Sequence, residues 1–294
     1  MVRLTRVFGV ALTALAVATL TGCQGALFFL VNAPTAFGSF HSVTDLPYGS
    51  GSRQRLDVYS PRDARNRPVV VFWYGGSWQM GSRAQYRFVG AALAERGFVT
   101  VLPDYRLYPE VKFPDFVDDG AQAVAWVQKH VRDYGGDPER IVLMGHSAGA
   151  HMAAFLALND SYLVKAGAQP QAIVGLVGLS GPYALDPNSK ALRTIFASPY
   201  MPADWQPVHF VSEHSPPTLL IQGLDDTVVS ASHTEKLRDA LVAHKIRVET
   251  ELYAGRGHSD TIASFSLPAR RRTPALGRAV SFIESVTSKS DLSR

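Results

Sequence analysis

Residues 141–149 read Ile141-Val142-Leu143-Met144-Gly145-His146-Ser147-Ala148-Gly149. Four apolar residues run without a break into a glycine-bracketed serine, and Met152 to Leu158 then continue with helical character. An apolar run of this length, bounded by glycine, reads as a strand buried on both faces. A strand that passes into a helix through Gly-x-Ser-x-Gly must turn sharply at the serine. The glycines two before and two after it are needed because side chains there would strike neighbouring backbone. Such a turn lifts the Ser147 hydroxyl clear of a sheet and sets it at a helix N-terminus. It is the only match to the pattern in the chain.

On either side of this stretch, short apolar runs alternate with amphipathic ones. Leu56 to Tyr59, Pro68 to Tyr74, Phe98 to Leu102, Ile173 to Leu179, Thr218 to Ile221 and Val248 to Tyr253 are predicted strands. Ala84 to Arg96, Phe116 to Tyr134 and Ser230 to His244 are predicted helices, with Gly97 and Gly135-Gly136-Asp137-Pro138 as stop signals. Parallel strands need long crossovers, and helices supply them. The expected class is therefore α/β: a mostly parallel central sheet with helices on both faces. No period of 20–50 residues repeats, and 294 residues suit one large domain. Two stretches break the alternation, Asn32 to Gly51 and Pro182 to Pro217. The second, rich in Pro, Ser and aromatics, is read as a small cap insertion over the site rather than a surface excursion.

A serine hydroxyl is a weak nucleophile at neutral pH and needs a base and an orienting acid. Where a serine sits on such a turn, the chain order is Ser, then Asp or Glu, then His. Past the helix-borne His151 lie His209, His214, His233, His244 and His258. His258 follows the last strand in the loop Gly255-Arg256-Gly257-His258, where a base reaches the C-terminal edge of a sheet. His233 and His244 fall on a helix and read as surface residues; His209 and His214 lie in the cap stretch, within reach of a substrate. The acid belongs after strand 218–221, where Asp225 and Asp226 compete. Asp226 fits Gly-x-x-Asp-x-x-Val, which leaves Asp225 as a turn residue. The developing oxyanion needs preorganised N–H donors. One is the Ala148 amide, and others come from Tyr74-Gly75-Gly76-Ser77-Trp78, directly after a buried strand.

These blocks, with Asp104-Tyr105-Arg106, Phe113-Pro114 and Gly135-Gly136-Asp137-Pro138-Glu139-Arg140-Ile141, resemble the bacterial serine esterase branch of the α/β-hydrolase superfamily related to hormone-sensitive lipase. The resemblance covers about Leu56 to His258. It implies carboxylic-ester hydrolysis, for short to medium acyl groups, on a small-molecule ester and without a cofactor. It also implies that Gly76 and Ser77 supply the loop amides of the oxyanion hole beside Ala148. Tyr74 stands where that branch carries a histidine, which leaves acyl preference open. Asp104 and Arg106 read as a structural ion pair beneath the site. The same three residues would also serve an aryl formamidase, a prenylcysteine methylesterase or a peptidase, because fold does not set substrate. A non-catalytic envelope scaffold is a further reading, against which stand the intact Ser147, Asp226 and His258.

The first residues follow another logic. Arg3 and Arg6 precede an apolar run from Val7 to Leu20, a secretory-signal pattern too short for a membrane span. It ends in Leu20-Thr21-Gly22-Cys23, which resembles the bacterial lipoprotein cleavage site, with Cys23 as the lipid-bearing residue. Cys23 is the only cysteine, so an internal disulfide is excluded. The expectation is a signal peptide over 1–22, an N-terminal linker or cap segment over 23–51 and a hydrolase domain over 52–294, with 182–217 as the cap. The protein would then be anchored to a membrane of the bacterial cell envelope, with an uncleaved anchor or plain secretion as alternatives. Net charge is +4 and the only basic run is Arg270-Arg271-Arg272, which reads as a solvated face. Nothing in it suggests nucleic-acid binding. No histidine or carboxylate spacing suits a metal, and His146 and His151, five apart, share no helix face well.

Overall fold

The computed structural model describes residues 25–186 and 188–288; the expected signal peptide and Cys23 lie outside them. Residues 25–32 form helix α1, and a 3₁₀ turn over Ala33–Phe37 leads to β1 (Phe40–Pro47). Then follow β2 (Arg55–Pro61), β3 (Arg67–Trp73), α2 (Arg87–Ala94), β4 (Val99–Pro103) and α3 (Asp115–His130). The central part comprises β5 (Gly136–His146), α4 (Ala148–Leu158), α5 (Ser161–Lys165) and β6 (Ile173–Leu179). After α6 (Lys190–Ile195) and α7 (Pro202–Trp205) come β7 (Thr218–Gly223), α8 (Ser232–Ala243), β8 (Val248–Tyr253), α9 (Asp260–Ala263) and α10 (Ala275–Thr287).

The eight strands form one sheet in the order β1-β2-β4-β3-β5-β6-β7-β8. β1 and β2 are antiparallel to their neighbours, and the six from β4 to β8 are parallel. The register fixes which helix covers which face. Val70 of β3 pairs with Val142 of β5, so the two share a face with Phe72, two residues along. Phe72 meets Tyr86 at the start of α2, and Val142 lies by Gly175, against which Phe282 and Val286 of α10 pack. Trp73 points the other way, to Gly120 of α3, where Met152 and Leu156 of α4 also pack. Helices thus cover both faces, and β3 reads as an unbroken apolar run for that reason.

The expected strand and helix positions agree with the structure to within a few residues, but α10 was not among them, nor was any strand in the stretch before the first expected strand. There β1 adds an antiparallel edge. Its residues are mostly exposed, so it carries neither apolar alternation nor an apolar run to betray it. The Gly-Gly-Asp-Pro block also has a structural role. Gly135, with φ +79°, ends the 3₁₀ turn after α3, and β5 begins at once. Arg140 on that strand donates to Asp137, to the Asn66 carbonyl and to the Thr287 carbonyl at the end of α10. One nearly buried guanidinium therefore ties the entry of the central strand to the chain's last helix.

Candidate active site

Ser147 sits between β5 and α4 with φ 55° and ψ −125°, a conformation that side chains rarely adopt and that costs about 1–3 kcal/mol. Its surroundings hold it there. The Ser147 amide donates to the Leu179 carbonyl of β6, and its own carbonyl accepts from the Ala150 and His151 amides. The bracketing glycines are sterically required. A Cβ on Gly145 would lie 2.2 Å from the Gly149 carbonyl oxygen, and one on Gly149 would lie 2.1 Å from that of Trp73. The hydroxyl-bearing residue retains 9% exposure, so it is reachable from solvent.

His258 and Asp226 come to it from two neighbouring loops at the same sheet edge. His258 Nε2 lies 2.9 Å from Ser147 Oγ, and His258 Nδ1 lies 2.8 Å from Asp226 Oδ2. An ionised carboxylate only accepts, so Nδ1 carries the proton and Nε2 offers its lone pair to the serine hydroxyl. The two loops are joined by the Asp225 amide, which donates to the Arg256 carbonyl. Gly223 lets them approach, since a Cβ there would be 2.3 Å from that same carbonyl oxygen. Asp225 itself is exposed and Asp226 is buried.

Asp226 is held by the Val228 and Val229 amides on one oxygen, and by Gln222 and His258 on the other. Burial pushes its carboxyl upward, but the Val229 amide and the His258 and Val228 donors outweigh it and hold it below the ordinary carboxylate value. Gln222 is wholly buried and is oriented by Thr234 of α8. Neither residue was visible as functional in the sequence, because nothing in their spacing distinguishes them from core positions. Of the remaining histidines, His209, His214 and His244 are exposed. His233 is not the surface residue expected: it is half-buried, and its Nδ1 accepts from the Ala184 amide where segment 182–217 leaves the sheet.

The loop after β3 lies directly against the serine. A Cβ on Gly75 would come 2.8 Å from that of Ser147. Gly76, Ser77 and Trp78 follow with φ +137°, 53° and 58°, and the Gly76 carbonyl is turned back to the Gln79 and Met80 amides. Ala148 opens α4, and the first amides of a helix have no acceptor within it. Gly75 and Ala148 thus lie beside the serine, and Gly76 and Ser77 follow in the same loop. Tyr74 anchors this loop. Its ring stacks on Tyr105 at 4.9 Å and on Tyr86 at 5.6 Å; its hydroxyl donates to Asp104 and accepts from Arg53. Burial, then Tyr105 and Asp104, push that hydroxyl well above its usual pKa, so it stays neutral.

The expected Asp104–Arg106 pair does not form. Asp104 accepts from Arg83 and Tyr74, whereas Arg106 forks the fully buried Asp119 at 2.7–3.1 Å. Arg106 goes to the carboxylate that is wholly buried, where a charge left alone costs most. Two histidines beside Ser147 complete the surroundings. His146 donates through Nε2 to the His258 carbonyl at 3.1 Å, and burial followed by repulsion from His258 brings its pKa down to about 3. His151 donates to the Trp205 carbonyl at 2.7 Å, and burial brings it down to about 4. Around it Trp78, Phe196 and Trp205 pack ring to ring, so α6 and α7 close one side of the site. Among the described residues no group of three possible metal ligands occurs.

The family model described as BD-FAE matches residues 56–241, more than half of the chain. Isoprenylcysteine alpha-carbonyl methylesterase ICME of Arabidopsis thaliana is 33% identical over 255 residues, which cover 79% of this chain and 60% of that protein. Esterase LipC of Mycobacterium tuberculosis is 32% identical over 216 residues, 65% of this chain and 54% of that one. The chain thus spans little more than half the length of these curated relatives. A thermophilic esterase of Thermogutta terrifontis, Est2, superposes with a TM-score of 0.69 at 25% identity over 84% of this chain and 92% of that one. The serine turn, the glycine loop beside it and the sheet that carries both are those of the α/β-hydrolase fold, and the chain belongs to the BD-FAE family.

Proposed function

We propose that the protein is a carboxylesterase-type serine hydrolase, with Ser147 as nucleophile, His258 as general base and Asp226 as the orienting acid. The observation that carries this reading is the unbroken line from Asp226 through His258 to Ser147, with contacts of 2.8 and 2.9 Å. Ser147 Oγ attacks the ester carbonyl as His258 Nε2 takes its proton. The carbonyl oxygen becomes an anion among the amides of Gly76, Ser77 and Ala148; each such donor lowers the barrier by about 3 kcal/mol. His258 returns the proton to the leaving alcohol, and water repeats the sequence on the acyl-enzyme. Asp226 keeps the proton on Nδ1, and no cofactor takes part. Short to medium acyl groups are favoured by the packed rings of Trp78, Phe196 and Trp205 on one side, which give segment 182–217 the role of a cap.

The reading is tested with a p-nitrophenyl ester series from acetate to palmitate, on the wild type and Ser147→Ala. Wild-type turnover that falls by about 10⁶-fold in the variant, with unchanged circular dichroism, is expected. Turnover retained in the variant excludes the mechanism. A methyl ester is a specific second substrate, because the Arabidopsis relative is named a methylesterase.

Anchoring belongs to the same proposal. Leu20-Thr21-Gly22-Cys23 after the apolar run supports lipidation at Cys23 and a place in the bacterial cell envelope. No helix among the described residues is long and apolar enough to cross a membrane. Mass spectrometry of the protein from its membrane fraction tests this: cleavage before residue 23 with a lipid adduct is expected, and an unmodified Cys23 excludes it.

A further inference from the structure

Large apolar side chains are left exposed along α1, on the turn after it and on segment 265–270. Leu27 is 59% exposed, Leu30 60%, Phe37 92% and Leu267 59%. Leu27, Leu30, Val31 and Pro34 are spaced by three and four along α1 and the turn after it, so they share a face. Val31 and Pro34 line a crevice together with Leu267 and Arg270, which places the exposed leucines of α1 beside that segment. The body beneath is well fixed. Phe28 packs on Tyr86, and Asn32 donates to the Gln85 carbonyl while accepting from the Phe88 amide. The apolar face is therefore built on α2 and is not a loose end of chain.

Cations outnumber acids there. Arg270 lies close enough to Arg96 to repel it, Arg271 is exposed beside them, and Glu95 is the acidic residue in the same crevice. Arg272 is occupied by Asp260. Exposed leucines rimmed by arginines match a surface that is both apolar and anionic, as the interface of a bilayer with acidic headgroups is. The chain before residue 25 is the apolar run and Cys23, so the first leucine of the face, Leu27, lies four residues from the expected lipid.

We propose that Leu27, Leu30 and Leu267, with Arg270 and Arg271, form a docking face that lays the folded domain on an anionic membrane. This rests on the anchoring read above and adds an orientation to it, since a lipid on Cys23 alone would leave the domain free to tumble. The anchored end would then sit one ring from the site: Phe28 packs on Tyr86, and Tyr86 on Tyr74 of the glycine loop.

The test uses the full chain purified from membranes, with Cys23 lipidated and a single fluorophore-bearing cysteine introduced as Leu30→Cys, Leu267→Cys or, for control, Asp160→Cys. Each is mixed with equimolar phosphatidylcholine and phosphatidylglycerol vesicles carrying brominated acyl chains. Quenching of about twofold at 30 and 267, and none at 160, is expected. Arg270→Gln with Arg271→Gln should at least halve the effect at 267 while leaving hydrolysis of a soluble ester unchanged. Quenching at 30 alone, or at neither position in protein that floats with the vesicles, overturns the docking face and leaves the anchor standing. Protein that does not float overturns both. Hydrogen exchange of unlabelled chain on the same vesicles provides a second reading that needs no cysteine: amides of 265–272 must slow, and unchanged exchange overturns the proposal.

Discussion

Asp225 and Asp226 are neighbours of one residue type, and the tertiary setting separates them. Asp226 takes four donors on its two oxygens, while Asp225 is exposed and contributes its amide to the loop. Asp226→Asn would place an amide where only an acceptor works, turn the His258 tautomer and lower kcat by about 10⁴-fold. Asp225→Asn should change kcat less than threefold, on the order of a surface substitution. Steady-state kinetics on one short ester checks both; equal losses would mean that the acid has been misassigned. The choice between the two was legible in the spacing Gly-x-x-Asp-x-x-Val. Gln222 and Thr234, which hold Asp226 in place, were not, because their role depends on hydrogen bonds across β7 and α8.

The strand–turn–helix element made by β5, Ser147 and α4 depends on backbone contacts that leave no room for a methyl group. A Cβ on Gly149 meets both the Trp73 and Tyr74 carbonyl oxygens, at 2.1 and 2.5 Å. Neither atom is the end of a flexible side chain, so the strand or the helix must move. Gly149→Ala should destabilise the protein by about 3 kcal/mol or more and cut turnover further than the unfolded fraction explains. Urea unfolding beside the ester assay measures this, and a variant with wild-type stability would refute the steric account. Elements built on a strong local pattern, such as β3, β5 and α3, were readable in advance. The exposed edge strand β1 was not, since β2 stabilises it through backbone pairing and not through a buried face. His233 likewise looked like a surface residue of α8 until the chain leaving β6 was seen to rest on it.

Across the whole molecule, the buried histidines link folding to pH. His146 and His151 are neutral in the fold, with pKa values brought down to about 3 and about 4, whereas an unfolded chain protonates both near 6.5. Between those values the unfolded state binds more protons, so stability rises with pH. Each group adds a slope of up to about 1.4 kcal/mol per pH unit. Its destabilising effect is absent above about pH 6.5 and grows as the solution is acidified towards the folded pKa. Asp226, held below its usual value, acts in the same sense: its contribution is present above the unfolded carboxylate pKa and is lost on further acidification. Unfolding free energies of wild type and His151→Gln from pH 7 to 4 should diverge at high pH, where the neutral histidine is best, and converge as it falls. Parallel lines would show that His151 is charged in the fold.

The sequence alone determined the class of fold, the serine turn and the order of the groups that follow it. Those features depend on local patterns: apolar runs, glycines where a Cβ has no room, and short spacings along one chain. The tertiary structure alone decided which partner each buried charge takes, as when Asp104 went to Arg83 and Tyr74 while Arg106 went to Asp119. It also decided that Tyr74 can support the glycine loop, through Arg53, Tyr86 and the adjacent Asp104 and Tyr105, drawn from three other segments. Pairings of that kind depend on which groups lose water together, and that is settled only when distant segments pack.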